Sequence, residues 1–325
     1  MSRSRRKIFW LGLDIGGTKI LAALLDKNFK IHGEIKVRVE PDRGRDFFFK
    51  TIHGAVKDLL EETGVKPKQI RGAGAGCPGI IHNPEGVVRL SPNLPFLKNC
   101  KLRKILSALF DCPAVVENDV NAGLYGEQQF GAARGFKHVA GIFLGTGVGG
   151  AFIFDGKIYR GLTGAAGEIG HTYLFPPLGL SDPAKATVEG AFGRLAISAE
   201  AGLLLMQQKA PALFQNTGYD VRKIKSKTLL KAIRSGDTAL KSLIVEKARL
   251  LGVTMANLVN LLSPELIVLG GGLMEALGSL ILPAARQTLR ELAMVPLVKP
   301  VRVAAAELKD YAIVKGAAKL ASEQV

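Results

Sequence analysis

Cysteine is scarce in this chain. Cys77, Cys100 and Cys112 stand alone among 325 residues, with no C-x-x-C pair. That spacing excludes a disulfide framework and a cysteine metal site, and it implies reduced thiols in a cytoplasm. The five histidines are equally scattered. Long apolar runs are missing as well. The longest uncharged stretch, Val139 to Phe154, is cut by five glycines and a threonine, so no membrane-spanning helix is expected. The basic start, Ser2 to Lys7, leads into an apolar run, Ile8 to Leu13, that stops at Asp14 without a small-residue cleavage site. No export signal is expected. Acidic residues number 28 against 44 lysines and arginines, a net charge of +16. Such a surplus attracts polyanions, whether nucleotide phosphates, polyphosphate or nucleic acid. The cations form no long run and are not interleaved with aromatics, which argues for a solvated basic surface rather than a nucleic-acid groove.

What is present is a chain too long for one small core, with 47% hydrophobic residues to fill two domains. Trp10 to Ile15 reads as a strand, Gly16-Gly17-Thr18 as a turn, and Lys19 to Leu25 as a returning strand that ends at Asp26. Glycines let a backbone approach a ligand and aim N–H groups at it, and Thr18 and Lys19 add a hydroxyl and a positive charge suited to a phosphate. An ordinary hairpin turn is the alternative. Asp14 would face the same ligand and would hold magnesium through water. A strand at Ile31 to Val39, a helix at Asp46 to Glu62 stopped by Gly64, and a strand at Ile70 to Ala75 follow. Two loops, Gly76 to Gly79 and Ser91 to Pro95, come next, the second carrying Asn93. A helix from Leu102 to Leu109 then leads to an apolar run, Ala114 to Val116, that ends in Glu117-Asn118-Asp119-Val120-Asn121. This polar cluster at the mouth of a sheet suits proton abstraction, with Asn118 or Asp119 as a plain helix N-cap the alternative.

The second half opens with His138 to Leu144, the loop Gly145-Thr146-Gly147-Val148-Gly149-Gly150, and a strand from Ala151 to Phe154. Gly145, Gly147 and Gly150 match G-x-G-x-x-G, but a dinucleotide fold needs a helix after the glycines, and this segment reads as a hairpin. It repeats the first hairpin, so the chain carries one phosphate-gripping hairpin per half. Glu168 and His171 follow in a glycine-rich setting. A helix begins near Val188-Glu189-Gly190, others span Lys227 to Ile233 and Ala239 to Leu262, and a strand at Leu266 to Leu269 runs into Gly270-Gly271-Gly272. A helix at Pro283 to Leu292, a strand at Val301 to Ala306 and a closing helix at Tyr311 to Ser322 complete the reading.

Five ordered motifs resemble the ROK family of sugar kinases and sugar-responsive repressors: residues 13–20, 117–122, 144–150, 167–171 and 264–272. The resemblance implies an α/β, two-domain, actin-like (ribonuclease H-like) ATPase fold with an inter-domain cleft. Residues 1–120 with 305–325 would form the smaller domain and 121–304 the larger. It implies ATP and magnesium, with Asp119 as general base. Nucleotide would be held by Asp14, Gly16, Gly17, Thr18, Lys19, Gly145, Thr146, Gly147, Gly270, Gly271 and Gly272, and sugar by Asn93, Asn118, Asp119, Glu168, His171 and Glu189. A dimer or tetramer is expected, with no nucleic-acid or membrane partner.

The departure lies at residues 180–189, where the family usually reads C-x-C-G-x-x-G-C-x-E and binds zinc with His171. Here Leu180, Asp182 and Thr187 occupy the cysteine positions. No structural zinc is expected, and packing by Leu174, Phe175, Pro176, Pro177 and Leu178 would order the segment instead. The leading function is ATP-dependent phosphorylation of a hexose, glucose first and N-acetylated hexosamines second. Polyphosphate as donor is one alternative, permitted by the net charge. A sugar-sensing regulator is another, which would need a DNA-binding module before Asp14; none is expected there.

Overall fold

The computed structural model describes residues 7–176 and 181–324. The chain divides into two compact units. One runs to Gly135 and takes in Ile158–Ala166 and the stretch from Asp310; the other comprises Phe136–Lys157 and Gly167–Lys309.

In the first unit, β1 (Phe9–Ile15) and β2 (Lys19–Asp26) are apolar along nearly their whole length and buried on both faces. Strands covered by helices on both sides read as continuous apolar runs in this way. β3 (Ile31–Arg38) alternates half-buried and exposed positions, as an edge strand does. Helix α1 (Gly44–Thr63) ends at Gly64, which takes the left-handed conformation that glycine adopts without strain. β4 (Ile70–Cys77), the short hairpin β5 (Ile80–His82) and β6 (Val87–Leu90), α2 (Leu102–Phe110), β7 (Ala114–Asn118) and α3 (Asp119–Phe130) follow. The sheet order is β3-β2-β1-β4-β7. β1, β2 and β3 pair antiparallel, and β4 and β7 add in parallel. One face packs on α1 and α2 through Leu11, Leu13, Ile52 and Leu59. The other packs on the closing helix, Ala312–Ser322, through Trp10, Leu21, Val115 and Val314. Each fully buried side chain of this kind contributes roughly 1.5–3 kcal/mol. That helix lies so close that a Cβ at Gly74 would collide with the Ala317 carbonyl. The three cysteines are buried and free, and burial pushes Cys112 up to about 11.

The second unit repeats the plan. β8 (Val139–Leu144), β9 (Val148–Phe154), β10 (Lys157–Ile158), β11 (Leu266–Gly270) and β12 (Arg302–Ala305) form a sheet of order β10-β9-β8-β11-β12. β8 and β9 are antiparallel, while β11 lies parallel to both β8 and β12. The first and second sheets therefore share one strand order, third-second-first-fourth-fifth. Helices α4 (Val188–Phe192), α5 (Arg194–Met206), α6 (Pro211–Thr217), α7 (Ser226–Arg234), α8 (Thr238–Leu262), α9 (Gly272–Leu292) and α10 (Val295–Val298) supply the rest, and the closing helix is α11. Leu251, Met255, Leu277, Ile281 and Leu289 of α8 and α9 fill its core with Ile142, Ile267 and Leu269. Among the described residues no helix is long and apolar enough to cross a membrane.

Several elements depart from the sequence reading, the four-residue α10 among them. The helix expected from Val188 onward is two helices, because Gly193 leaves the helical region and caps α5. Helix α9 begins at Gly272, eleven residues before Pro283, and runs through that proline. A proline costs one backbone bond, and the buried Leu277, Ile281, Ala285 and Leu289 hold the helix across it. The β5–β6 hairpin and α6 went unread, being only three to seven residues long.

Candidate active site

In the first unit the hairpin β1–β2 places Asp14 at the end of its first strand, paired in register with Leu21. Its Gly16 N–H donates to the Lys19 carbonyl at 3.0 Å, closing the turn. Asn93 lies against that turn: a Cβ at Gly17 would sit 3.1 Å from the Asn93 Cβ. The hairpin and the Ser91–Pro95 loop are thus brought together. Burial first, and then the charge of Asp119, push Asp14 up to about 7. Lys19 draws it the other way, but Lys19 is also paired with Asp310 at 3.8 Å, and Lys36 reaches Asp310 at 2.9 Å.

Asp119 is the first residue of α3, at the carboxyl end of β7. Asn118 is the N-cap. Its Oδ1 accepts from the Val120 and Asn121 N–H groups at 2.9 and 3.0 Å, and its Nδ2 donates to the Gly79 carbonyl at 3.0 Å. Much of its hydrogen-bonding capacity is thereby committed inside the protein. Glu117, only 2% exposed, anchors the turn from beneath. Its Oε1 accepts from the Asn118 N–H at 2.8 Å and Asn121 Nδ2 at 3.1 Å. Its Oε2 accepts from Arg160 Nε at 2.7 Å and Asn83 Nδ2 at 3.4 Å. A buried carboxylate needs such a partner, since an unpaired one is strongly destabilising. Sequence reading missed Arg160 and Asn83, which lie 43 and 34 residues away and carry no local signal.

In the second unit the hairpin β8–β9 holds Gly145, Thr146 and Gly147 at its tip, with the Gly145 N–H donating to the Gly147 carbonyl at 2.9 Å. Strand β11 ends at Gly270 opposite Phe143, so the Gly270–Gly272 loop and the hairpin share the carboxyl ends of adjacent strands. Gly271 takes a φ of +90° against the Leu144 backbone, a conformation reserved for glycine, and caps α9. Glu189 grips the hairpin: its Oε2 accepts from the Val148 N–H at 2.9 Å. A Cβ at Gly147 would run into the same carboxylate. The N–H groups of Arg194 and Leu195 donate to the Gly145 and Thr146 carbonyls, both at 3.3 Å. Arg194 Nη2 reaches Thr146 Oγ1 at 3.2 Å. Glu168 and His171 are exposed, with carboxylate and imidazole 3.9 Å apart, and Gly170 between them packs on the Val148 carbonyl. Glu168, His171, Glu189 and the Gly145 hairpin therefore cluster in one unit, and Asp14, Gly16–Lys19, Asn93, Asn118 and Asp119 in the other.

The residues at the family's zinc positions do other work. Asp182 Oδ1 accepts from the Ala184 N–H at 3.1 Å. Thr187 Oγ1 donates to the Ala184 carbonyl at 2.7 Å and accepts from the Gly190 N–H at 3.0 Å, capping α4. Leu180, with Pro177 and Leu178, lies outside the described residues. No group of three or more His, Cys, Asp or Glu side chains able to hold a metal occurs among the described residues. This donor set does not fit a structural zinc. The ends of the segment are instead zipped by backbone bonds, Leu174 N–H to the Ala186 carbonyl at 2.8 Å and Val188 N–H to the Thr172 carbonyl at 2.9 Å. Leu174 packs on the core, whereas Phe175 and Pro176, expected to pack, are exposed.

Two sheets of the same strand order, each with a glycine hairpin on its first two strands, define the actin-like class of α/β ATPase fold. Within it the chain belongs to the ROK family, which it matches over residues 10–324. It is 31% identical over 317 residues to a glucokinase of Streptomyces coelicolor, covering 96% of this chain and 97% of that one. It is 29% identical over 315 residues to a xylose repressor of Caldicellulosiruptor bescii, covering 94% of this chain and 76% of the repressor. Among solved structures, a ROK family glucokinase of Streptomyces griseus in complex with glucose and AMPPNP superposes with a TM-score of 0.83 at 31% identity, covering 97% of this chain and 99% of that one.

Proposed function

We propose that this protein transfers the γ-phosphoryl group of ATP to a hydroxyl of a hexose, glucose first, with Asp119 as general base. The observation that carries the reading is the pair Asp14 and Asp119. They lie close enough for Asp119 to raise Asp14, with Asp14 on the first strand of the glycine hairpin and Asp119 at the carboxyl end of β7. Asp119 takes the proton of the sugar hydroxyl as its oxygen bonds to the γ-phosphorus and the bond to the β,γ-bridging oxygen breaks. Magnesium, when bound, neutralises charge on the triphosphate. Asp14 would hold it through water, and two mutually repelling carboxylates are a fitting environment for a divalent cation. The backbone N–H groups of both hairpins and the Gly270 loop cradle phosphates and nucleotide. Asn93, Asn118, Glu168 and His171 orient sugar hydroxyls, and Glu189 joins them while fixing the Gly145 hairpin.

A coupled assay of glucose, N-acetylated hexosamines and other hexoses against ATP and polyphosphate tests the reading. Asp119→Asn should lower turnover at least ~100-fold while sugar still binds. Turnover retained in that variant removes Asp119 from the role. Sugar binding without turnover by any donor in the unaltered protein would favour the regulator reading that the xylose repressor supports.

A further inference from the structure

We propose that Arg194 binds the phosphate chain of the phosphoryl donor. The inference rests on the reading of Gly145–Gly147 as a phosphate loop and adds a side chain to it. Arg194 is rooted on that loop three times: by its own N–H, by its neighbour's, and by the guanidinium on Thr146. Gly193, just before it, lies against the same loop: a Cβ there would touch the Gly147 Cα at 3.4 Å. The first two N–H groups of α5, those of Arg194 and Leu195, are spent on loop carbonyls, which leaves the side chain to recognise an anion.

Two further observations single it out. Arg194 is the first residue of a 13-residue helix whose first turn holds no acidic residue. A cation there opposes the helix dipole, an unfavourable arrangement that a bound anion relieves. Among the described residues Arg194 makes no ion pair; its side-chain bond is to Thr146. The cation on the other hairpin, Lys19, is by contrast paired with Asp310. The planar guanidinium fork matches two phosphate oxygens at once.

The test compares the unaltered protein, Arg194→Gln and Arg194→Lys by equilibrium binding of magnesium AMPPNP, AMP and inorganic polyphosphate, with ligand-free melting as a control. A charge-assisted bond of this kind predicts AMPPNP binding weakened on the order of tenfold in Arg194→Gln. The lysine variant should fall between, AMP should bind unchanged, and the ligand-free Tm should be unchanged or higher. Weakening seen with polyphosphate alone assigns the same contact to that donor. Arg194→Gln matching the unaltered protein on both inorganic polyphosphate and AMPPNP overturns the inference. So does equal weakening of all three ligands with a lowered Tm, which would mean that Arg194 merely holds the loop. Unaltered protein that binds neither AMPPNP nor polyphosphate more tightly than AMP overturns the phosphate-loop reading itself.

Discussion

Asp14, near the end of β1, feels the charge of Asp119, which opens α3 just after β7. Asp14 is raised from its ordinary 3.8 to about 7, by burial and then by the charge of Asp119. Between about pH 4 and 7 the folded chain therefore binds a proton at Asp14 that the unfolded chain has already lost. The stability this group provides is fully present below about 4 and is lost as pH rises through about 7. In magnesium-free, ligand-free buffer the Tm should fall over that interval more steeply in the unaltered protein than in Asp14→Asn. Equal slopes would show that Asp14 titrates as an ordinary carboxylate. Both aspartates were legible in the sequence, Asp14 because it stops an apolar run and Asp119 because it belongs to the polar cluster that follows one. Arg160 and Asn83 were not, since their partner Glu117 is reached only through the fold. Nor could sequence show that Glu189 would bond the Val148 N–H, 41 residues away.

At the scale of elements, the hairpin β8–β9 depends on glycine for room rather than for an unusual φ. Gly147 is absent from the positive-φ glycines, but its Cβ would strike the Glu189 carboxylate. Gly147→Ala should therefore already displace Glu189 and loosen the bond to Val148. Gly147→Val, larger and β-branched, should do more and chiefly raise the KM for ATP. A KM for ATP unchanged in Gly147→Val would count against the loop as a nucleotide grip. Long helices were legible from their three- and four-residue apolar spacing, as α1 and α8 show. The hairpins were legible from glycine turns between apolar strands. The break at Gly193 was not read, because apolar spacing continues across a glycine that serves as C-cap of α4 and N-cap of α5. Pro283 misled for the complementary reason: a local helix breaker sits in a helix that the core sustains.

At the scale of the whole molecule, two sheets of one strand order account for the sequence's repeated hairpin. The repeat was legible because a glycine-threonine loop between apolar strands is a local pattern, while strand order is fixed by pairings up to 127 residues apart, as when Leu266 joins Val139. The described residues between His171 and Glu189 show how the two sides of that segment are held with Asp182 and Thr187 where the family carries cysteines. Its ends are zipped by two backbone bonds, and Thr187, 8% exposed, links the Ala184 carbonyl to the Gly190 N–H. An N-cap threonine replaced by alanine costs about 0.5–2 kcal/mol. Thr187→Ala should accordingly lower the Tm by ~1–3 °C for a protein of this size. If these hydrogen bonds and not a metal hold the ends of the segment, purified protein should contain no stoichiometric zinc, and a strong zinc chelator in magnesium-free buffer should leave the Tm where it was. One zinc per chain by elemental analysis, lost on chelation together with stability, would mean that residues 171–189 are ordered by a metal after all. A Thr187→Ala protein that melts with the unaltered one would separately remove the cap as the source of order.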